Sequence, residues 1–457
     1  MQNLKIWNYI SFPWLIFTLI FFIVFFFNAF FGESDTKFIS YNYLKNLFQN
    51  TFLLSIMSAI LSTLIAVPLA ILVTFYKFPG HKFFSWSLSL SIAFPAYVYA
   101  FIFVGIFEYS SPLSEYLRSF DLYLPSIKNV YGASIIMSMA LFPYIFLITK
   151  AQLSSVGLNV FRAARSLGDS NLAAIRKVVL PSLKPTVIAG MALVIFETIS
   201  DFGGVSTLRV ETFTVGIYDA WFGYQSYLTA SKLAGFLLIF VFLIMFISKN
   251  FGKERKNVAF KTAEIFEKIE LKRFKQVIIS CICFLIFIII FCIPLFQLLM
   301  WQLSEINISL LDNIKFLLNS LIIGSLVSIF TVFIAVGLSL SYRGFAKLRF
   351  LISISSSGYA IPGSVVSAGL LIGFYTLFGS SITLYGIYAL LLCLSFRFMT
   401  PAFNYISSSL TNISSSSENS LLTQPRSYYK SFLYFYFPQM KSAIFLSVLI
   451  VFIESIK

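Results

Sequence analysis

Apolar residues gather in this chain as long unbroken runs. The stretch Phe17–Phe27 reads FTLIFFIVFFF, with neither the period-two alternation of a half-exposed strand nor the polar stripe of an amphipathic helix. Runs of about 20 such residues recur, the length a helix needs to cross a ~30 Å hydrocarbon core. The pattern predicts about eleven spans, at 10–31, 52–76, 86–107, 131–149, 186–202, 231–248, 277–300, 320–342, 352–377, 384–403 and 442–457. Membrane barrels alternate apolar and polar residues. Unbroken runs instead predict an all-α polytopic membrane helix bundle, each helix satisfying its own backbone polar groups. Pro68, Pro95, Pro143 and Pro362 fall inside spans, where neighbouring helices can re-satisfy the freed groups.

Composition agrees. Hydrophobic residues make up 58% of the chain and charged residues 11%, against about 45–50% and about 25% in soluble domains. The net charge of +15 changes the picture only through its placement. Most Lys and Arg fall in segments 77–85, 150–185, 249–276, 343–351 and 404–441. The alternate segments are poorer in them and carry Glu33, Asp35, Glu108, Glu115, Asp121, Glu211, Asp219, Glu305 and Asp312. That bias puts the N-terminus and the basic loops in the cytoplasm of a multi-pass inner-membrane protein. It makes membrane lipid a partner and excludes nucleic acid as one. Cys281, Cys283, Cys292 and Cys393 lie inside apolar runs without metal or redox spacing. The first apolar run is too long for a signal peptide and lacks a cleavage site, so it reads as a retained helix.

The chain repeats itself. "NTFLLSIMSAILSTLIAVPLA", opening at Asn50, matches "NSLIIGSLVSIFTVFIAVGLS", opening at Asn319, at an offset of 269. Further on, "FRAARSLGDSNLAAIRKVVLP" falls on "ENSLLTQPRSYYKSFLYFYFP" at an offset of 257, so Pro181 meets Pro438. An even number of spans per copy predicts parallel repeats. The expected organisation is a first repeat at 1–248, a cytoplasmic linker at 249–276 and a second repeat at 277–457. The first copy has six spans, whereas the sequence stops at Lys457 inside the fifth span of the second, so the second six-helix repeat is expected to be incomplete at its C-terminus. The linker reads as a solvated connector, or as a contact for anionic lipid.

The polar island Phe161–Pro185 sits in the first basic loop. Arg162–Leu167 suits a short helix, with Ala163 and Ala164 small enough for close approach. Gly168 can take the left-handed conformation that ends it. Asp169 and Ser170 are N-cap residues for a second short helix, which Pro181 is expected to stop. In the second copy Ser427 takes the cap position and Pro425 stands in for the glycine.

This pattern resembles the EAA loop of binding-protein-dependent ABC importer permeases, whose motif is E-A-A-x-x-x-G, nine residues, then I-x-L-P. Arg162-Ala163-Ala164 stands for E-A-A, Gly168 for the glycine and Val178-Val179-Leu180-Pro181 for the ending. Arg162 departs from the glutamate. In the second copy Asn419 stands at that place and only Phe437-Pro438 keeps the ending. The block Phe196–Leu238 resembles the fused two-half iron(III) permeases. The resemblance implies a permease subunit of an ATP-driven importer, with iron(III) delivered by a periplasmic binding protein. It implies two copies of a cytoplasmic ATP-binding subunit, docked on the EAA-type loops, which would use the ATP; no cofactor is expected on this chain. Permeases for thiamine, putrescine and sulfate share the general pattern.

Glu197 and Asp201 lie one helical turn apart, and Glu454 is the repeat equivalent of Glu197. Carboxylates in spans are costly and usually face a cavity or a partner. These three either line a translocation pathway or make interhelical hydrogen bonds; any metal they would hold is not specified. No catalytic constellation or phosphate-binding G-x-x-x-x-G-K-[ST] motif is present, and His81, the one histidine, sits in a basic loop. The chain is therefore expected not to be an enzyme. A secondary transporter is the alternative class; it also uses repeats and buried carboxylates but needs no docking loop.

Overall fold

The computed structural model describes residues 7–32, 40–154, 158–251, 268–304, 310–378, 386–411, 413–414, 417 and 428–456. The described chain is almost entirely helical. In chain order the elements are α1 (Asn8–Phe31), α2 (Tyr41–Phe75), β1 (Tyr76–Lys77), α3 (His81–Ser87), α4 (Ala96–Phe107), α5 (Pro112–Arg118), α6 (Val130–Gln152), α7 (Leu158–Ser166), α8 (Asn171–Ala174), α9 (Leu180–Ser200), α10 (Gly203–Thr207), α11 (Phe213–Tyr218) and α12 (Tyr227–Phe251). They continue as β2 (Ile269–Glu270), α13 (Arg273–Phe287), α14 (Ile293–Ser304), α15 (Leu310–Gly344), α16 (Arg349–Ser355), α17 (Gly363–Phe378), α18 (Gly386–Thr411), α19 (Tyr428–Ser431) and α20 (Phe437–Ile456).

Among the described residues, nine helices are long and apolar enough to cross a membrane, where the sequence suggested about eleven spans. One expected span is broken. The stretch 352–377 is divided into α16, a 3-10 turn and the 16-residue α17. The stretch 231–248 lies wholly within the 25-residue α12. Proline is the local cause of the division. Ile361 before Pro362 is extended (ψ 126°), as is Phe94 before Pro95 (ψ 122°), because the proline ring disfavours the α conformation one residue upstream. The same break thus occurs in both repeats.

Two compact units emerge. One comprises Ile39–Gly216 with Ile239–Ile306; the other comprises Met1–Phe38, Ile217–Leu238 and Asn307–Lys457. Within the first, α2, α6 and α9 pack mutually. Their interface is built from small residues: Ser55, Ser58, Ala59, Ser62 and Ala66 of α2 are buried, as are Ala133, Ser134, Ser138 and Ala140 of α6. Small side chains let membrane helices approach closely, where van der Waals packing replaces the hydrophobic effect. Within the second unit α15, α18 and α20 form the corresponding triad, with Ser328, Thr331, Ala335 and Ser339 buried along α15.

The partition into units crosses the sequence repeat. α1 packs against α15, α16 and α17, and α13 and α14 pack against α3 and α4. Each triad is therefore flanked by the opening span of the other repeat. Ser11 and Ser341 hydroxyls share a 2.8 Å hydrogen bond, and Gly369 leaves room for Phe21 and Phe25. The described end of the 249–276 segment does not behave as a free connector. β2 pairs in parallel with β1, Lys77 contacts Glu270 at 2.7 Å, and Lys268 Nζ donates to the Val73 carbonyl at 2.7 Å. Residues 252–267 of that segment lie outside the described residues.

Candidate functional site

The Phe161–Pro185 island forms an elbow. α7 ends in a Schellman motif around Gly168 (φ +94°): Gly168 N–H bonds the Arg165 carbonyl at 3.1 Å, and Asp169 N–H bonds the Ala164 carbonyl at 3.2 Å. The glycine is needed because that φ is unfavourable for side chains. Ser170 then caps the next helix, its hydroxyl accepting Ala173 N–H at 3.3 Å. Arg165 Nη1 donates to the Asp169 carbonyl at 2.6 Å, and Lys177 pairs with the Asp169 carboxylate at 3.0 Å. The turn is thus braced from both arms.

The two alanines of the motif diverge. Ala164 is buried beside Phe161, whose ring lies 5.0 Å from that of Phe75; Ala163 is exposed. Leu167 is 87% exposed and Leu172 75% exposed, one on each side of Gly168. The elbow, otherwise polar and basic, thus bares two leucines. Arg162 is half-buried and Arg165 exposed on the same arm.

Pro181 does not stop the second helix. The helix runs without interruption from Asn171 to Ser200, through a π-turn at Ile175–Val179 in which Leu180 N–H reaches back to the Ile175 carbonyl. Proline lacks the N–H and its ring collides with the carbonyl four residues earlier. The wider turn ahead of Pro181 shifts those carbonyls and removes the collision. Leu180 and Pro181 are both exposed. The second copy repeats the device at the same offset of 257: α19 leads into a π-turn at Phe432–Tyr436, and Phe437 N–H bonds the Phe432 carbonyl just before Pro438. Asn419, Pro425 and Ser427 lie outside the described residues.

Of the three carboxylates, Asp201 has a definite local role. Its Oδ2 accepts Val205 N–H at 3.1 Å, which caps α10, and its carbonyl accepts the Thr214 hydroxyl at 2.9 Å. Gly204 is required there, since a Cβ would meet Asp201 Oδ2 at 2.6 Å and Met137 Cε at 2.5 Å. Glu197 and Glu454 are half-buried near the ends of α9 and α20. Among the described residues no group of three or more His, Cys, Asp or Glu could hold a metal ion.

Sequence reasoning missed two features. The Asn50-Thr51 pair that opens the repeat ties α2 to the 203–216 hairpin: Asn50 Nδ2 donates to the Glu211 carbonyl at 3.0 Å, and Thr51 Oγ1 accepts Phe213 N–H at 3.1 Å. Recurrence of the pair as Asn319-Ser320 was the available signal. The second is Arg397, midway along α18 in the apolar run 384–403. An arginine at a span centre costs ~2.5–3.5 kcal/mol on insertion scales. Its Nε is buried with no hydrogen-bond partner among the described residues, and its Nη1 abuts Gly363 at the start of α17. The signal was one isolated cation in an apolar run.

Parts of the chain are similar in sequence to known transport proteins. Residues 66–256 match the family model described as binding-protein-dependent transport system inner membrane component. The chain is 31% identical over 140 residues to the sulfate transport system permease protein CysT of Salmonella typhimurium, covering 30% of this chain and 49% of that protein. It is 26% identical over 318 residues to the Fe(3+)-transport system permease protein FbpB 2 of Haemophilus influenzae, covering 66% of this chain and 58% of that protein. The chain thus spans about half the length of these curated relatives.

Proposed function

We propose, from the match of residues 66–256 to the binding-protein-dependent transport system inner membrane components, that this chain acts as the membrane permease subunit of an ATP-driven ABC importer. The observation that carries the proposal is the elbow: a Schellman turn at Gly168 presenting Leu167 and Leu172, rigidly continuous through the π-turn with α9. A force applied at the elbow would pass directly into a membrane-crossing helix. Two copies of a cytoplasmic ATP-binding subunit would dock there and at the equivalent place before α19. Their closure on ATP would move the helices between inward- and outward-facing states. ATP chemistry would stay with those subunits, and a periplasmic binding protein would deliver the cargo. The N-terminus and the segments 150–185 and 404–441 would then face the cytoplasm.

The cargo we favour is iron(III). The similarity to the Fe(3+) permease covers 66% of the chain, which is more than residues 1–276, so it reaches into both repeats. The 31% identity to a sulfate permease favours a second reading, a sulfate-type oxyanion. Cells carrying this chain with the ATPase and binding protein encoded beside it should accumulate radiolabelled iron(III), and iron competition should not be matched by sulfate. Sulfate accumulation instead would assign the second reading. Accumulation of neither, with all three proteins present in the membrane fraction, would remove both readings of the cargo.

A further inference from the structure

Arg397 is a cation in the middle of a membrane-crossing helix, and the chain gives it little. Among the described residues it forms no ion pair, and its Nε is buried without a hydrogen bond. The guanidinium lies 5.8 Å from the centroid of the Phe398 ring. Its Nη1 lies against Gly363, where any Cβ would collide with it. Gly363 opens α17, and the adjacent Ser364 hydroxyl is also buried without a partner. Val365 and Val366 N–H groups both turn back to the Pro362 carbonyl. The two amides ahead of them, on Gly363 and Ser364, belong to the helix start, which has no intrahelical acceptor for them. A guanidinium and the positive end of a 16-residue helix therefore meet at one place in this unit, with the Ser364 hydroxyl one residue along that helix.

The guanidinium and the amides are donors only, and the Ser364 hydroxyl, which can accept as well as donate, accepts from none of them. A site so rich in donors inside a membrane bundle is completed by an anion with several oxygens, which a planar guanidinium can meet with paired hydrogen bonds and a helix N-terminus with its amides. We propose that Arg397, Ser364 and the first turn of α17 form a binding site for an oxygen-rich anion in the translocation pathway. The ligand class includes a tetrahedral oxyanion and ferric iron carried in an anionic carboxylate chelate. As a step in transport the site rests on the importer reading; as a binding site it does not.

Thermal unfolding of the purified full-length chain in lipid nanodiscs tests the site without transport. Sodium sulfate and ferric citrate are each compared with sodium chloride at matched ionic strength. One of the two should raise the unfolding temperature, and which one does distinguishes the oxyanion from the chelate. In Arg397→Gln that rise should vanish, while the ligand-free unfolding temperature should stay unchanged or increase, because an unpaired buried charge has been removed. Arg397→Lys should keep part of the rise. A structural arginine would behave in the opposite way, and a fall in the ligand-free unfolding temperature of Arg397→Gln would overturn the proposal. So would a wild-type chain that responds to neither anion, or a response that survives in Arg397→Gln.

Discussion

Gly168 and Arg162 test the elbow at the level of single side chains. A Cβ at Gly168 would meet nothing within 4 Å, so an alanine there is opposed only by its φ of +94°. The left-handed conformation costs an ordinary residue roughly 1–2 kcal/mol. Gly168→Ala is expected to reduce co-purification of the ATP-binding subunit about ten-fold, and Gly168→Leu to abolish it, with both variants reaching the membrane at wild-type level. Undiminished co-purification and uptake in Gly168→Leu would reduce the elbow to a loop. Arg162 poses a question of sign. It stands where the related loops carry glutamate, three residues from the exposed Arg165, so the arm is basic. If the ATPase groove is acidic, Arg162→Glu weakens the complex by like-charge repulsion; tighter retention on the affinity column would show that the groove expects an anion.

Among elements, the helix that leaves the elbow is the informative one. Ser170 caps it, and the π-turn at Ile175–Val179 lets it pass Pro181. Replacing a serine N-cap by alanine costs about 1 kcal/mol. Ser170→Ala should therefore speed hydrogen exchange at the Ala173 amide roughly five-fold, and Ser170→Asp should restore protection by supplying another acceptor. Unchanged exchange in Ser170→Ala would mean that packing, not the cap, holds the first turn. A π-turn just before a proline at the same offset in both repeats shows that the motif-ending proline shapes a continuous helix.

For the whole molecule, the opening helix is the feature to test. α1 belongs to the unit built from the second repeat, through Ser11 against Ser341 and through Phe21 and Phe25 against Gly369. With the hydroxyls 2.8 Å apart, the double variant Ser11→Cys with Ser341→Cys should form a disulfide on mild oxidation of membranes. The readout is a fragment pattern, after protease cleavage within 252–267, that stays joined until reduced. Joining at the level of either single variant would place α1 elsewhere. Gly369→Leu should release α1 and lower the yield of folded protein, because Phe21 and Phe25 occupy the space its side chain would need.

Local chemistry wrote much of this protein into the sequence. The spans are legible because unbroken apolar runs of sufficient length admit only helices in a bilayer. The Schellman glycine and the serine cap are legible because both motifs close within six residues. The repeat is legible as two constant offsets. What stayed hidden depends on neighbours far along the chain. Pro181 reads as a stop until the widened turn before it is seen, and Pro362 reads as tolerated until the helix is found broken there. Asp201 reads only as a carboxylate at the end of a span; that its side chain caps α10 at the Val205 amide and its carbonyl takes the Thr214 hydroxyl depends on the fold. Ser11 meets a residue 330 positions away, and no periodicity says which repeat α1 will join. Arg397 is visible as an isolated charge, but only the fold sets its guanidinium against Gly363 at the start of α17. Hydrogen bonds between near neighbours are dictated by residue type and spacing. Contacts between distant helices depend on which surfaces leave room for one another, and that was decided in three dimensions.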